Sequence, residues 1–211
     1  MRKLLFLPVL LALVFTSCKK KEGTVSSVET ASFPTITITS GLYYSVQQYA
    51  LYPNLTVSVT DSFYNPTSYV VIDSAIHTNV PGLYIGTVSA RNKEGFTTYV
   101  PFYVAVTNIS DSLNLSGTWW LSGANRPLDS ISSTQITELA NGLYTTSNAG
   151  GDSITSSSVS QAIFAVTNTT TIVFPANANY YSPGTLSMIP GDTTISYVSA
   201  TTGATITYKK Q

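Results

Sequence analysis

From Phe33 onward, apolar and hydroxyl-bearing residues alternate with a period of two, which places every second side chain on one face of an extended strand. Ile36 and Ile38 share a face in FPTITIT, and Leu55, Val57 and Val59 do so in LTVSV. Tyr69 to Ile72 is a short continuous apolar run, and Gly82 to Val88 alternates again. Val100, Phe102, Val104 and Val106 put four apolar side chains on one face of a long final strand. Pro101 lies inside that strand and predicts an edge or a bulge, because proline has no N–H for a ladder. Asn65-Pro66, Asn79-Val80-Pro81-Gly82 and Asn92-Lys93-Glu94-Gly95 separate the runs as turns. No stretch has helical periodicity, so residues 32–107 are expected to form a small β-sandwich.

Residues 108–115 (NISDSLNL) are polar and mark a boundary. A second series of strands is predicted at Gly117 to Leu121, Gln135 to Leu139, Leu143 to Thr146, Ser160 to Val166, Thr171 to Phe174, Thr194 to Val198 and Ala204 to Tyr208. Gly150-Gly151-Asp152, Asn177-Ala178-Asn179, Ser182-Pro183-Gly184 and Pro190-Gly191-Asp192 are the turns between them. The expectation is a second antiparallel β domain over 113–211, and an all-β protein overall.

The chain before this pattern is of another kind. Met1-Arg2-Lys3 is a short basic start, the apolar run Leu4 to Phe15 is too short to span a bilayer, and Thr16-Ser17 are small. That is the layout of a secretory signal peptide over residues 1–17, with residues 18–31 as a flexible tether. The single cysteine of the chain, Cys18, stands at the cleavage point before Lys19-Lys20-Lys21-Glu22. This arrangement resembles the lipobox of bacterial lipoproteins, with Phe15 where leucine is usual. The resemblance implies that the Cys18 thiol is acylated and anchors the protein to a membrane; the alternative is a free cysteine beside an ordinary cleavage site.

Charged residues make up only 9% of the chain, against roughly 25% in ordinary soluble domains. Serine and threonine, more than a quarter of the residues, supply the polarity. Loss of Arg2 and Lys3 takes the ten basic residues to eight against ten acidic ones. Such a chain has no electrostatic footprint for nucleic acid. With Cys18 acylated, no thiol is left for disulfides, zinc or nucleophilic catalysis.

The block from Pro34 to Val106 resembles the bacterial cell-surface Ig-like domains of many Bacteroidetes lipoproteins. Pro81-Gly82-Leu83-Tyr84 opening a strand, Asn92-Lys93-Glu94-Gly95-Phe96, and a final Val-x-Phe-x-Val-x-Val strand carry the likeness. The chain departs from that pattern in having Arg91-Asn92 where an acidic residue is usual before the late turn. Leu115-Ser116-Gly117-Thr118-Trp119 more weakly resembles the start of the C-terminal β domains that accompany such modules. The resemblance implies a cell-envelope, outer-membrane lipoprotein, laid out like the accessory glycan-binding proteins of polysaccharide uptake. A structural or adhesive protein-interaction module without a small-molecule ligand is the competing expectation; glycan or an envelope protein is the expected partner.

Catalysis is not expected. His77 is the only histidine and stands in IDSAIHTN without a nucleophile elbow. Asp129, Glu138, Asp152 and Asp192 include no distinguishable pair for glycosidase chemistry. Neither a metal nor a cofactor is expected, because acidic residues are scattered and phosphate loops are absent. The candidate ligand contacts are aromatic: Trp119, Trp120, Tyr180 and Tyr181, with Arg126 among hydroxyl-rich neighbours. Exposed rings beside amides and hydroxyls suit sugar, although the sandwich cores and the interface between domains could consume the same rings. All six aspartates precede Ser or Thr. Ser112, Ser130 and Ser153, each between Asp and an aliphatic residue, look like the O-glycosylation acceptors of Bacteroidetes. Chance and ordinary turn chemistry explain the pattern as well.

Overall fold

Alternating strands need a second layer to take their apolar face, and in this protein each block supplies one. The computed structural model describes residues 31–52, 54–63, 68–109, 113–122, 132–151, 160–175 and 181–210. Strands and turns account for their regular structure, with no helix among them. β1 (Thr35–Ile38) pairs antiparallel with β3 (Val57–Thr60). β2 (Tyr43–Gln47), β4 (Tyr69–Ile72), β5 (Gly82–Arg91) and β6 (Thr97–Thr107) form a second sheet of order β2-β6-β5-β4. Its ladders are antiparallel except β2 with β6, which is parallel. Ile36, Ile38, Val88, Ala90, Phe102, Val104 and Val106 make the core of this block. Phe102 lies against Gly86, its cross-strand partner; a Cβ on Gly86 would fall 2.0 Å from the Phe102 ring.

Pro101 is placed as the alternation requires. Tyr103 N donates to Leu42 O, so odd-numbered amides of β6 point toward β2. β2 begins only at Tyr43, opposite Tyr103. The Pro101 nitrogen therefore faces a side where β6 has no paired strand, and its missing N–H costs nothing. The turn after β5 explains the departure at Asn92. Asn92 Nδ2 donates to Asp61 Oδ2 (3.1 Å) and to Ser32 O (2.8 Å), while Asn92 Oδ1 accepts from Phe96 N (2.9 Å). An aspartate at 92 could not donate and would face the Asp61 carboxylate. Ser32 Oγ completes the cluster by donating to Asp61 Oδ1 at 2.5 Å.

The second block closes on itself. β7 (Gly117–Leu121), β8 (Ser133–Ala140), β9 (Leu143–Thr146), β10 (Ala162–Asn168), β11 (Thr171–Val173), β12 (Gly184–Ile189), β13 (Asp192–Val198) and β14 (Thr205–Lys210) follow one another around an antiparallel barrel. β14 pairs back onto β7, so the sheet has no edge. Eight strands enclose a space that side chains can fill, and here Trp119, Tyr144, Phe164, Leu186, Ile195, Tyr197 and Tyr208 fill it. The polar tips of these rings reach carbonyls at the two ends. Trp119 Nε1 donates to Leu115 O at 2.8 Å, and the Tyr144 hydroxyl donates to Leu113 O, where the chain enters. Tyr197 and Tyr208 hydroxyls donate to Ala149 O and Asn148 O at the far end.

β12 leaves no room at its first residue. A Cβ on Gly184 would lie 2.4 Å from Ser196 O and 2.8 Å from Tyr197 Cβ. Gly184→Ala is expected to cost about 2–3 kcal/mol, because backbone cannot yield as a side-chain tip can. Urea unfolding checks this, and an unchanged midpoint would contradict the packing of β12 on β13.

Ser32–Gln211 is a single compact unit. The outward face of β5 and β6 does not meet solvent along its whole length. Leu83 and Ala105 pack with Leu143 and Ala165 of the barrel, flanked by Tyr103, Leu139, Ala140, Ile163 and Val173. β6 accordingly alternates at its start and is buried continuously from Val104 to Thr107.

Candidate functional site

This seam opens into a groove at the far end of the barrel. Two adjoining hollows, about 420 and 430 Å³, share Tyr181 and Gln161. One wall is the outward face of the β2-β6-β5-β4 sheet. Tyr43 and Tyr103 sit opposite each other on the parallel strands β2 and β6, so their side chains leave the same face. Their rings stack at 5.8 Å with 23° between planes. The other wall is the barrel rim. Tyr181 is held there by Phe174 (5.0 Å) and edge-on by Tyr197 (5.4 Å), and its backbone bridges to Ser199. Ile85, Ile163 and Phe174 line the first hollow, with Thr145 beside them. Ser160, Ser199, Thr201 and Thr202 line the second.

The groove thus offers ring faces on one side and hydroxyls on the other, joined by the exposed Gln161 amide. None of the described residues lining either hollow carries a formal charge. Ser199 is held in place: its N–H donates to Ala204 O (2.9 Å) and its carbonyl accepts from Gly203 N (2.8 Å). Gly203 makes that tight loop with φ +68°, a left-handed conformation that costs glycine little.

The residues singled out in the sequence are distributed unevenly. Tyr181 lines both hollows. Trp119 is fully buried inside the barrel, which corrects the expectation of a ligand contact there: a ring with no exposed face cannot receive a sugar. Trp120, the next residue, points to the opposite side of the strand and is half-buried on the barrel's outer surface. It pairs with Lys209 and Ser133 and lines neither hollow. Cys18, Arg126, Tyr180, Ser112, Ser130 and Ser153 lie outside the described residues. His77 is exposed on a turn, edge-on to Tyr84, and does not line the groove. Among the described residues no three His, Cys, Asp or Glu side chains gather as a metal site would need.

Tyr43, Tyr103 and Gln161 were not legible as a site. Tyr43 and Tyr44 are adjacent rings that face opposite sides of a strand, and Tyr103 lies on the face of its strand opposite Phe102 and Val104.

Fold and groove define an all-β protein in which a closed meander barrel and a smaller pair of sheets share one seam. No protein-family profile matches the chain, and no curated protein matches it. Among solved structures the chain is similar to the lipoprotein BT2262 from Bacteroides thetaiotaomicron. The identity is 16% over 84% of this chain and 100% of that one, with a TM-score of 0.37. A likeness at that level carries no argument about this chain.

Proposed function

We propose that the chain is a non-catalytic, lipid-anchored protein of the bacterial cell envelope, in the outer membrane, that binds glycan at the seam groove as an accessory of polysaccharide uptake. The single observation carrying the binding role is the groove flanked by Tyr43, Tyr103 and Tyr181, whose described lining residues carry no charge. Aromatic faces take the C–H surface of a sugar ring, and amides and hydroxyls take its hydroxyls. Anchoring rests on Cys18 behind its basic and apolar leader. An Ig-like reading of residues 32–107 is supported by the β1-β3 sheet facing β2-β6-β5-β4. Modification at Ser112, Ser130 and Ser153 remains part of the proposal. Ser74, in the same Asp-Ser-aliphatic setting, is exposed on a turn.

A second reading has its own observation. β4 ends its sheet and exposes Tyr69 (43%), Val70 (60%) and Ile72 (49%). A bare apolar strand edge suits the addition of a partner's strand. A glycan array on the full chain in detergent separates the two. Signal on one class of glycan that Tyr181→Ala abolishes, with Val70→Lys unaffected, supports the groove. Silence across the array favours the interaction module.

A further inference from the structure

On the reading that the groove binds glycan, we propose that its ligand is an uncharged oligosaccharide whose consecutive sugar units occupy both hollows. Three observations carry this. The first is where the described charges lie. All the charged side chains that the structure describes in the barrel, Glu138, Asp192, Lys209 and Lys210, belong to the entry end. The Glu138 backbone N–H donates to Ser116 Oγ, Lys209 pairs with Asp192 at 2.9 Å, and Lys210 Nζ donates to Asn114 O. The groove lies at the opposite end, lined by Gly150, Ser160, Phe174, Tyr181 and Ser199. A uronate, sulfate or phosphate placed there loses hydration and meets no described cation, at a cost a neutral sugar avoids.

The second observation is the division of labour between the hollows. Ring faces and aliphatic side chains dominate the first, hydroxyls the second. A single sugar unit satisfies one hollow and leaves the other wet. A fatty chain suits the first hollow and strands the hydroxyls of the second. The third is continuity: Tyr181 and Gln161 line both hollows, so an occupant passing between them meets the same ring and the same amide. Each hollow has the volume of an ordinary small-molecule site. The Tyr181 ring is braced by Phe174 and Tyr197, so little side-chain entropy is lost when a ligand lands on it.

Calorimetry on the full chain in detergent micelles tests this. The probes are neutral gluco-, xylo- and manno-oligosaccharides of increasing length, with oligogalacturonate and heparin fragments as anionic counterparts. A neutral series is expected to bind, with the monosaccharide weaker than its oligomers by about tenfold or more. A tenfold rise in salt is expected to leave the affinity unchanged, because a neutral sugar makes no ion pair with the described lining residues. Gln161→Ala, an exposed position whose loss leaves the fold intact, and Tyr181→Ala are each expected to weaken binding by about tenfold. Binding of an anionic series that weakens with salt, or a monosaccharide as tight as its oligomers, overturns this inference and leaves the glycan reading standing. No binding by any sugar overturns the glycan reading itself.

Discussion

Trp119→Ala is expected to lower the unfolding free energy by about 3–5 kcal/mol, the range for deleting a buried large aromatic. The indole is fully buried among the rings that fill the barrel. Its removal leaves a cavity that neighbouring strands cannot close without breaking their ladders. It also strands Leu115 O, which accepts from Trp119 Nε1. That carbonyl belongs to the segment leading into β7, so the entry end loosens along with the core. Trp120→Ala is the internal control. Its side chain is half-buried on the outer surface, and its loss is expected to cost about 1 kcal/mol or less. Urea unfolding followed by circular dichroism measures both, and equal costs would contradict the placement of the two rings.

The second large effect is alkaline instability. Burial pushes the Tyr144 hydroxyl up to about 12, with the Glu138 charge adding to the rise and a backbone hydrogen bond opposing it. Burial, with smaller contributions from Tyr208 and Tyr181, raises Tyr197 further in the same direction. In the unfolded chain both phenols titrate near the ordinary value of 10. The folded state thus holds protons that the unfolded state releases. The stability linked to these groups is fully present below pH 10 and is lost as pH rises toward and through the folded values. Each tyrosine then removes about 1.4 kcal/mol per pH unit. The urea midpoint is expected to fall steeply between pH 10 and 12, with the phenolate absorbance of the buried tyrosines appearing as a step together with unfolding. A flat midpoint over that interval would contradict the burial of both hydroxyls.

What could be read from the sequence follows from what periodicity records. Alternation in β5 and β6 is visible because one face of each strand goes to the sandwich core. Tyr103 and Ala105 look like solvent-side residues in the same stretch, since nothing local signals the barrel that covers them. β2 is hard to see because its alternation, Tyr44 and Val46 against Ser45 and Gln47, lasts only four residues and is blurred by the extra ring of Tyr43; it is held by main-chain pairing with β6. β12 was hidden because Gly184 reads as the end of a turn, and Met188 and Ile189 stay exposed on it. Pairing of β14 with β7 is a contact between the two ends of the block, which no window along the chain contains. The site suffered most from this. Adjacent rings at Trp119 and Trp120 had to face opposite ways, but only closure of the barrel decides which one is inside. The groove joins β2, β6 and the barrel rim, segments far apart in sequence, and of its aromatic side chains only Tyr181 is a candidate from the sequence.

The pairing of Phe102 with Gly86 bears on how β6 knows its alignment. Strand register is ordinarily enforced by polarity, because a slip of one residue sends apolar side chains into water. Over the second half of β6 that safeguard is weak: Tyr103 and Ala105 enter one apolar layer, and Phe102, Val104 and Val106 another. Size has to replace it. Phe102 fits only where its neighbour lacks a Cβ, and Gly86 is that neighbour. A slip of two residues would set Phe102 against Tyr84 or Val88 and leave a void over the glycine. The alignment of a strand shared by two cores is thus written in volume, as a ring and the one gap that admits it.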